Sequence, residues 1–122
     1  MQQADKKGNI HFFYRAPQLL LLEHANVFLT HGGLSSTKEA ISCCVPLLVY
    51  PLDKTWDQPG NALKIEYHKL GLRGDFKTDG LKEIKEKINQ LLTNNIYKIN
   101  LSDFNKKCCV KNDFFNELIN LI

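Results

Sequence analysis

The chain has 122 residues, 43% of them hydrophobic and 24% charged, with a formal net charge of +3, which fits one soluble domain with a real core. Its lysines lie mostly after Leu63, on segments that alternate them with glutamates; this is a solvated face and argues against a nucleic-acid partner. No apolar run approaches the roughly 20 residues that span a bilayer, and "MQQADKKGNI" lacks the apolar centre of a signal peptide.

The predicted elements alternate. "NIHFFY" (9–14) is β-branched and aromatic and suits a strand, and "PQLLLLEHA" (17–25) opens with a proline suited to a first helical turn. "NVFLT" (26–30) is a buried strand, and "SSTKEAISCC" (35–44) a helix whose hydroxyl residues can cap its start. "VPLLVYPL" (45–52) is a third strand closed by Pro51. A loop at 53–60 leads to the helix "NALKIEYHKL" (61–70), which Gly71 ends. In "DGLKEIKEKINQLLTN" (79–94), Leu81, Ile84, Ile88, Leu91 and Leu92 share a helical face, and Glu83 and Lys87 stand at i, i+4 spacing. "NDFFNELINLI" (112–122) closes the chain as a short amphipathic helix. Alternating strands and helices predict an α/β fold: a partial Rossmann-like parallel sheet with helices on both faces, in one unit over residues 1–122.

The cysteines form two adjacent pairs, Cys43-Cys44 and Cys108-Cys109, with neither CxxC spacing nor a Cys/His ligand set. Free thiols in a reducing, cytoplasmic setting are the plain reading.

The stretch "FLTHGGLSSTKEA" (28–40) carries the chemistry. Ligands of open α/β sheets bind beyond the carboxyl ends of strands, where His31 falls. Gly32 and Gly33 let a ligand approach the backbone, the next helix presents unpaired N–H groups, and Ser35, Ser36 and Thr37 add donors. Glu39 lies a turn further on. Two readings stand side by side: an anion site with a carboxylate for ribose hydroxyls, or a capping box made by Ser36 and Glu39 beside a core histidine bonded to a backbone carbonyl.

A longer pattern surrounds this stretch: Pro17-Gln18, a histidine before a strand, T-H-x-G, a Ser pair, E-A, V-P, a proline after the next strand, and D-Q followed by N-A. In this order, over residues 15–72, it resembles the nucleotide-sugar signature of family 1 glycosyltransferases. The resemblance implies the C-terminal half of a GT-B fold and a hexosyltransferase taking a UDP-sugar, with no cofactor and, in the absence of a DxD motif, no metal. It implies that His31 and Gly33 lie at the diphosphate, Ser35 and Ser36 at the phosphates, Gln18 and Glu39 at the ribose, and Asp57 and Gln58 at the sugar hydroxyls. Arg15 stands where plant members stack a tryptophan on the base, and a guanidinium plane also stacks. Ser35 stands where plant members carry asparagine. Against these roles, Asp57 also fits a loop or cap residue, Gln18 a surface helix residue, and Trp56 fits packing better than a sugar platform.

By the same resemblance the general base and acceptor pocket belong to an N-terminal domain absent from these residues, so no catalytic residue is assigned, and His11, His24 and His68 are poor candidates. The chain is expected to bind donor and transfer nothing alone, its partner being that domain or a separate subunit. A natural donor-binding subunit, placed at a membrane by its partner, and a non-catalytic nucleotide-sugar-binding module are the alternatives. An exposed sheet edge, and with it self-association, is also expected.

Overall fold

The computed structural model describes residues 3–52 and 57–111, with side chains described for 8–52 and 57–107. Its elements are β1 (Gln3–Lys7), β2 (Ile10–Phe13), α1 (Gln18–Leu22), β3 (Phe28–Thr30), α2 (Leu34–Ser42), β4 (Leu47–Val49), α3 (Gln58–Tyr67), β5 (Gly71–Arg73), α4 (Leu81–Thr93) and α5 (Ile96–Lys111). Trp56 and the predicted helix at 112–122 lie outside the described residues, as do the side chains of Cys108 and Cys109.

The α/β expectation holds, with one strand exchanged for another. A three-stranded parallel sheet runs in the order β3-β4-β5, pairing Phe28 with Leu47 and Leu47 with Gly71. The predicted strand at 9–14 exists but does not join it. β2 pairs antiparallel with β1 in a separate hairpin, turned at Gly8 with φ +61, a conformation glycine adopts without a Cβ penalty. The third strand of the parallel sheet is β5.

β4 is the centre of the molecule, and its three residues are fully buried. Leu47 and Val49 point to one face, against Ala40 and Ile41 of α2, Ala62 and Ile65 of α3, and Leu101 and Phe104 of α5. Leu48 and Tyr50 point to the other, against Leu91 with Ile84 and Ile88 of α4. Both faces are therefore covered, which is why "VPLLVY" reads as an uninterrupted apolar run. Of the five residues predicted to share α4's apolar stripe, Leu81 and Leu92 are instead exposed. β3 pairs only with β4 among the described residues, and Leu29 on it is 47% exposed.

Two helices end without glycine. In α2, Val45 N–H donates to Ala40 O at 2.9 Å and Cys44 N–H to Ile41 O at 3.0 Å. In α3, Leu70 N–H donates to Ile65 O at 2.9 Å and Lys69 N–H to Glu66 O at 3.1 Å. Both are Schellman caps, with Cys44 (φ +56) and Lys69 (φ +52) in the left-handed region. Each turns the chain into the next strand, β4 and β5 respectively. Gly71, expected to end the helix at 61–70, instead opens β5, because a Cβ there would meet Leu47 O at 2.0 Å.

Candidate functional site

β3 ends at Thr30, so His31 leaves the sheet at its carboxyl edge. The His31 side chain is exposed, and its Nδ1 lies 3.0 Å from Tyr50 O at the end of the neighbouring strand. A carbonyl only accepts, so Nδ1 carries the proton and Nε2 is left for a ligand, accepting in the neutral ring and donating in the charged one. His31 does bond a backbone carbonyl, as the structural alternative supposed, yet it is not a core residue.

Gly32 turns the chain at φ +90, where a Cβ would meet Val49 Cγ1 at 2.7 Å. Its carbonyl accepts from Asn61 Nδ2 at 2.7 Å, and Asn61 is 8% exposed. The first turns of α3 thus grip the loop ahead of α2. In the sequence Asn61 belongs only to the N-A pair; its role here follows from its burial on α3, which begins three residues earlier than the sequence pattern suggests.

Gly33 is the residue that precedes α2, with φ −60 and ψ 147, and a Cβ on it would meet nothing within 4 Å. Ser35 and Ser36 therefore lie inside the first turn of α2 rather than capping it, and the capping box of the second reading does not form. Glu39 is engaged elsewhere. Gln18, the first residue of α1, donates through Nε2 to Ser36 Oγ at 3.1 Å and to Glu39 Oε2 at 3.0 Å. The structure so brings three of the sequence-predicted residues into one hydrogen-bonded cluster beside the open N-terminal turn of α2, whose first N–H groups and dipole favour negative charge. Ser35 is exposed on that turn.

Gln58 opens α3, and its Oε1 accepts from Leu52 N–H at 2.8 Å. Its backbone carbonyl borders Gly32, 3.4 Å from where a Cβ would stand. Asp57 precedes the helix with its side chain exposed and makes no side-chain cap. Arg15 is exposed on the segment between β2 and α1. No hydrogen bond or ion pair among the described residues ties the side chains of Asp57 or Arg15 to the cluster.

The Tyr50 OH donates to Asp79 Oδ2 at 2.7 Å, and Lys87 Nζ pairs with the same carboxylate. Lys87 and Tyr50 hold the Asp79 carboxyl below the usual carboxylate range, while burial and the Asp79 charge push the Tyr50 phenol up. Lys87 therefore pairs with Asp79 and not with Glu83, whose Oε2 accepts from Gly80 N–H at 2.8 Å at the start of α4.

A groove of about 400 Å³ lies away from these residues, at the start of β5, among Glu66, Lys69, Gln90 and Tyr97; none of the sequence-predicted residues lines it. Among the described residues there is no group of three His, Cys, Asp or Glu side chains able to hold a metal ion. No described helix is long and apolar enough to cross a membrane.

Known proteins share this fold and much of this sequence. The family described as UDP-glucoronosyl and UDP-glucosyl transferase matches residues 6–111. The uncharacterized UDP-glucosyltransferase YdhE of Bacillus subtilis is 32% identical over 109 residues, covering 87% of this chain and 27% of YdhE. The glycotransferase of kitacinnamycin superposes with a TM-score of 0.82 at 25% identity, over 97% of this chain and 31% of its own. Os79 of O. sativa, solved with UDP and deoxynivalenol-3-glucoside, superposes at 0.66 with 30% identity, over 76% of this chain and 23% of its own. The chain spans about a third or less of each of these relatives, and the shared architecture is that of GT-B glycosyltransferases.

Proposed function

This chain belongs to the UDP-glucoronosyl and UDP-glucosyl transferase family, and from that membership we propose that it is the donor-binding portion of an enzyme that moves a sugar from a UDP-sugar to an acceptor hydroxyl. The observation that carries the reading is the Gln18–Ser36–Glu39 cluster at the open N-terminal turn of α2, next to His31. Ser35, Ser36 and the N–H groups of that turn take the phosphates, and the missing Cβ of Gly33 leaves them room. Glu39 accepts from the ribose hydroxyls, with Gln18 fixing the carboxylate's direction. Asp57 and Gln58 face the transferred sugar, and Arg15 stacks on the base.

In the reaction the acceptor oxygen bonds to the anomeric carbon as the bond from that carbon to the phosphate oxygen breaks. UDP leaves with an added negative charge, which the α2 terminus and His31 stabilise, without a cation supplied by this chain. The proton on the acceptor hydroxyl passes to a base outside these residues, in the acceptor-binding domain or in a partner subunit. Alone, the chain binds donor and transfers nothing. Os79, solved with UDP, supports uridine diphosphate as the ligand.

Titration of the chain with UDP, uridine and pyrophosphate tests the reading. UDP binds tightest, because both the nucleoside and the phosphates are held. A folded chain that binds pyrophosphate as well as UDP, or neither, overturns it.

A further inference from the structure

Phe76 sits in the 74–80 segment between β5 and α4 and is 56% exposed. A lone exposed phenylalanine is ordinary; this one is held in place by its surroundings. Its ring centroid lies 6.0 Å from the His31 imidazole at an interplanar angle of 49°. The same ring lies 5.1 Å from Tyr50 at 40°. Tilted pairs at these separations are attractive, because the edge of one ring meets the electron-rich face of the other.

The segment that carries Phe76 is fastened at both ends. Gly74 N–H donates to Val49 O at 2.8 Å, and a Cβ on Gly74 would stand 2.1 Å from the Tyr50 ring, so the chain crosses that ring only as glycine. Asp75 Oδ1 accepts from Lys77 N–H and Asp75 O from Asp79 N–H, both at 2.8 Å. Asp79 is in turn bonded to Tyr50 OH and Lys87 Nζ.

Tyr50 thus serves His31 twice: its carbonyl accepts from Nδ1, and its ring supports Phe76. One hydrogen bond alone leaves an exposed imidazole free to swing or flip about it. We propose that Phe76 is a positioning residue, fixing the plane of the His31 ring so that Nδ1–H stays on the Tyr50 carbonyl, which sets the tautomer, and Nε2 faces the ligand. Its consequence for the diphosphate rests on the donor-site reading above; its effect on the ring does not.

Two measurements on the full chain decide it. In ligand-free protein, ¹⁵N NMR of the imidazole reports the tautomer: Phe76→Ala mixes in the Nε2–H form, and Phe76→Tyr keeps the parent ratio. An unchanged ratio in Phe76→Ala overturns the proposal. In titration, Phe76→Ala weakens UDP roughly three- to tenfold, the range an aromatic pair supports, leaves uridine unchanged, and adds nothing in a His31→Ala background. Equal losses for UDP and uridine, or a full loss that persists without His31, overturn it. A parent chain that binds no UDP refutes the donor-site reading, and the tautomer ratio then decides Phe76 by itself.

Discussion

Replacing Asn61 by alanine removes the donor that holds the Gly32 carbonyl, and the cost follows from the geometry. The bond is short at 2.7 Å, Asn61 is 8% exposed and Gly32 is buried, so water does not readily take the amide's place. A buried carbonyl left unsatisfied costs about 1–3 kcal/mol. Gly32 is already at φ +90, packed close to Val49 and to the Gln58 carbonyl. For a domain of this size about 2 kcal/mol lowers Tm by roughly 6–10 °C. Thermal unfolding followed by circular dichroism reads that drop, and titration with UDP reads a weaker site, since Gly32 leads into the α2 terminus. Asn61→Asp separates bonding from shape: it keeps the volume but sets a carboxylate oxygen against the carbonyl. At neutral pH it is destabilised at least as much as Asn61→Ala, and acid restores part of the loss as the protonated acid regains a donor. An Asn61→Ala protein with parental Tm and UDP affinity, or an Asn61→Asp protein as stable as the parent, would show that the Asn61–Gly32 bond does not hold the loop.

Two glycines with opposite roles give a contrasting pair. Gly71→Ala puts a methyl 2.0 Å from Leu47 O in the central strand, where only backbone movement relieves it, so the expected outcome is loss of soluble folded protein. Gly33→Ala meets open space at ordinary dihedral angles, so Tm stays within about 2 °C while UDP binding weakens at least several-fold; unchanged binding would remove Gly33 from the site. Asp79 predicts an acid dependence. Its folded carboxyl titrates below the unfolded value of about 3.9, so its contribution is complete above that value and is lost as pH falls through the folded one. The Tm gap between the parent and Asp79→Asn therefore stays constant down to about pH 4 and closes below it; a gap unchanged at pH 2.5 would contradict the pairing with Lys87 and Tyr50.

The parts of the fold legible in the sequence are those with a local signal. "VPLLVY" announces a strand buried on both faces, and the Ile84/Ile88/Leu91 stripe announces α4. β1 is not legible because "QADKK" has no apolar alternation and forms only by pairing with β2. β5 is not legible because three residues, "GLR", carry no period, and their glycine serves a close approach to Leu47 rather than a helix end. The true ends of α2 and α3 use Cys44 and Lys69 in a conformation normally signalled by glycine. At the site, His31, Ser36 and Glu39 stood out by residue type, and Gln18 by its place in an ordered pattern. That Glu39 bonds Gln18 instead of capping a helix depends on how α1 packs against α2. Tyr50, Phe76 and Asp79 carry no motif, and only the folded sheet brings them to His31.

The most direct test of the donor site is calorimetric titration of UDP into the parent chain, His31→Ala and Glu39→Ala. His31 is exposed at the end of β3, Glu39 is half-buried on α2, and neither belongs to the apolar core, so all three proteins fold. UDP binds the parent saturably and one-to-one, with an affinity at least about tenfold weaker in each variant, as expected for losing a hydrogen bond to a charged group. Three folded proteins that bind UDP equally, or a folded parent that does not bind it, would rule out the donor site.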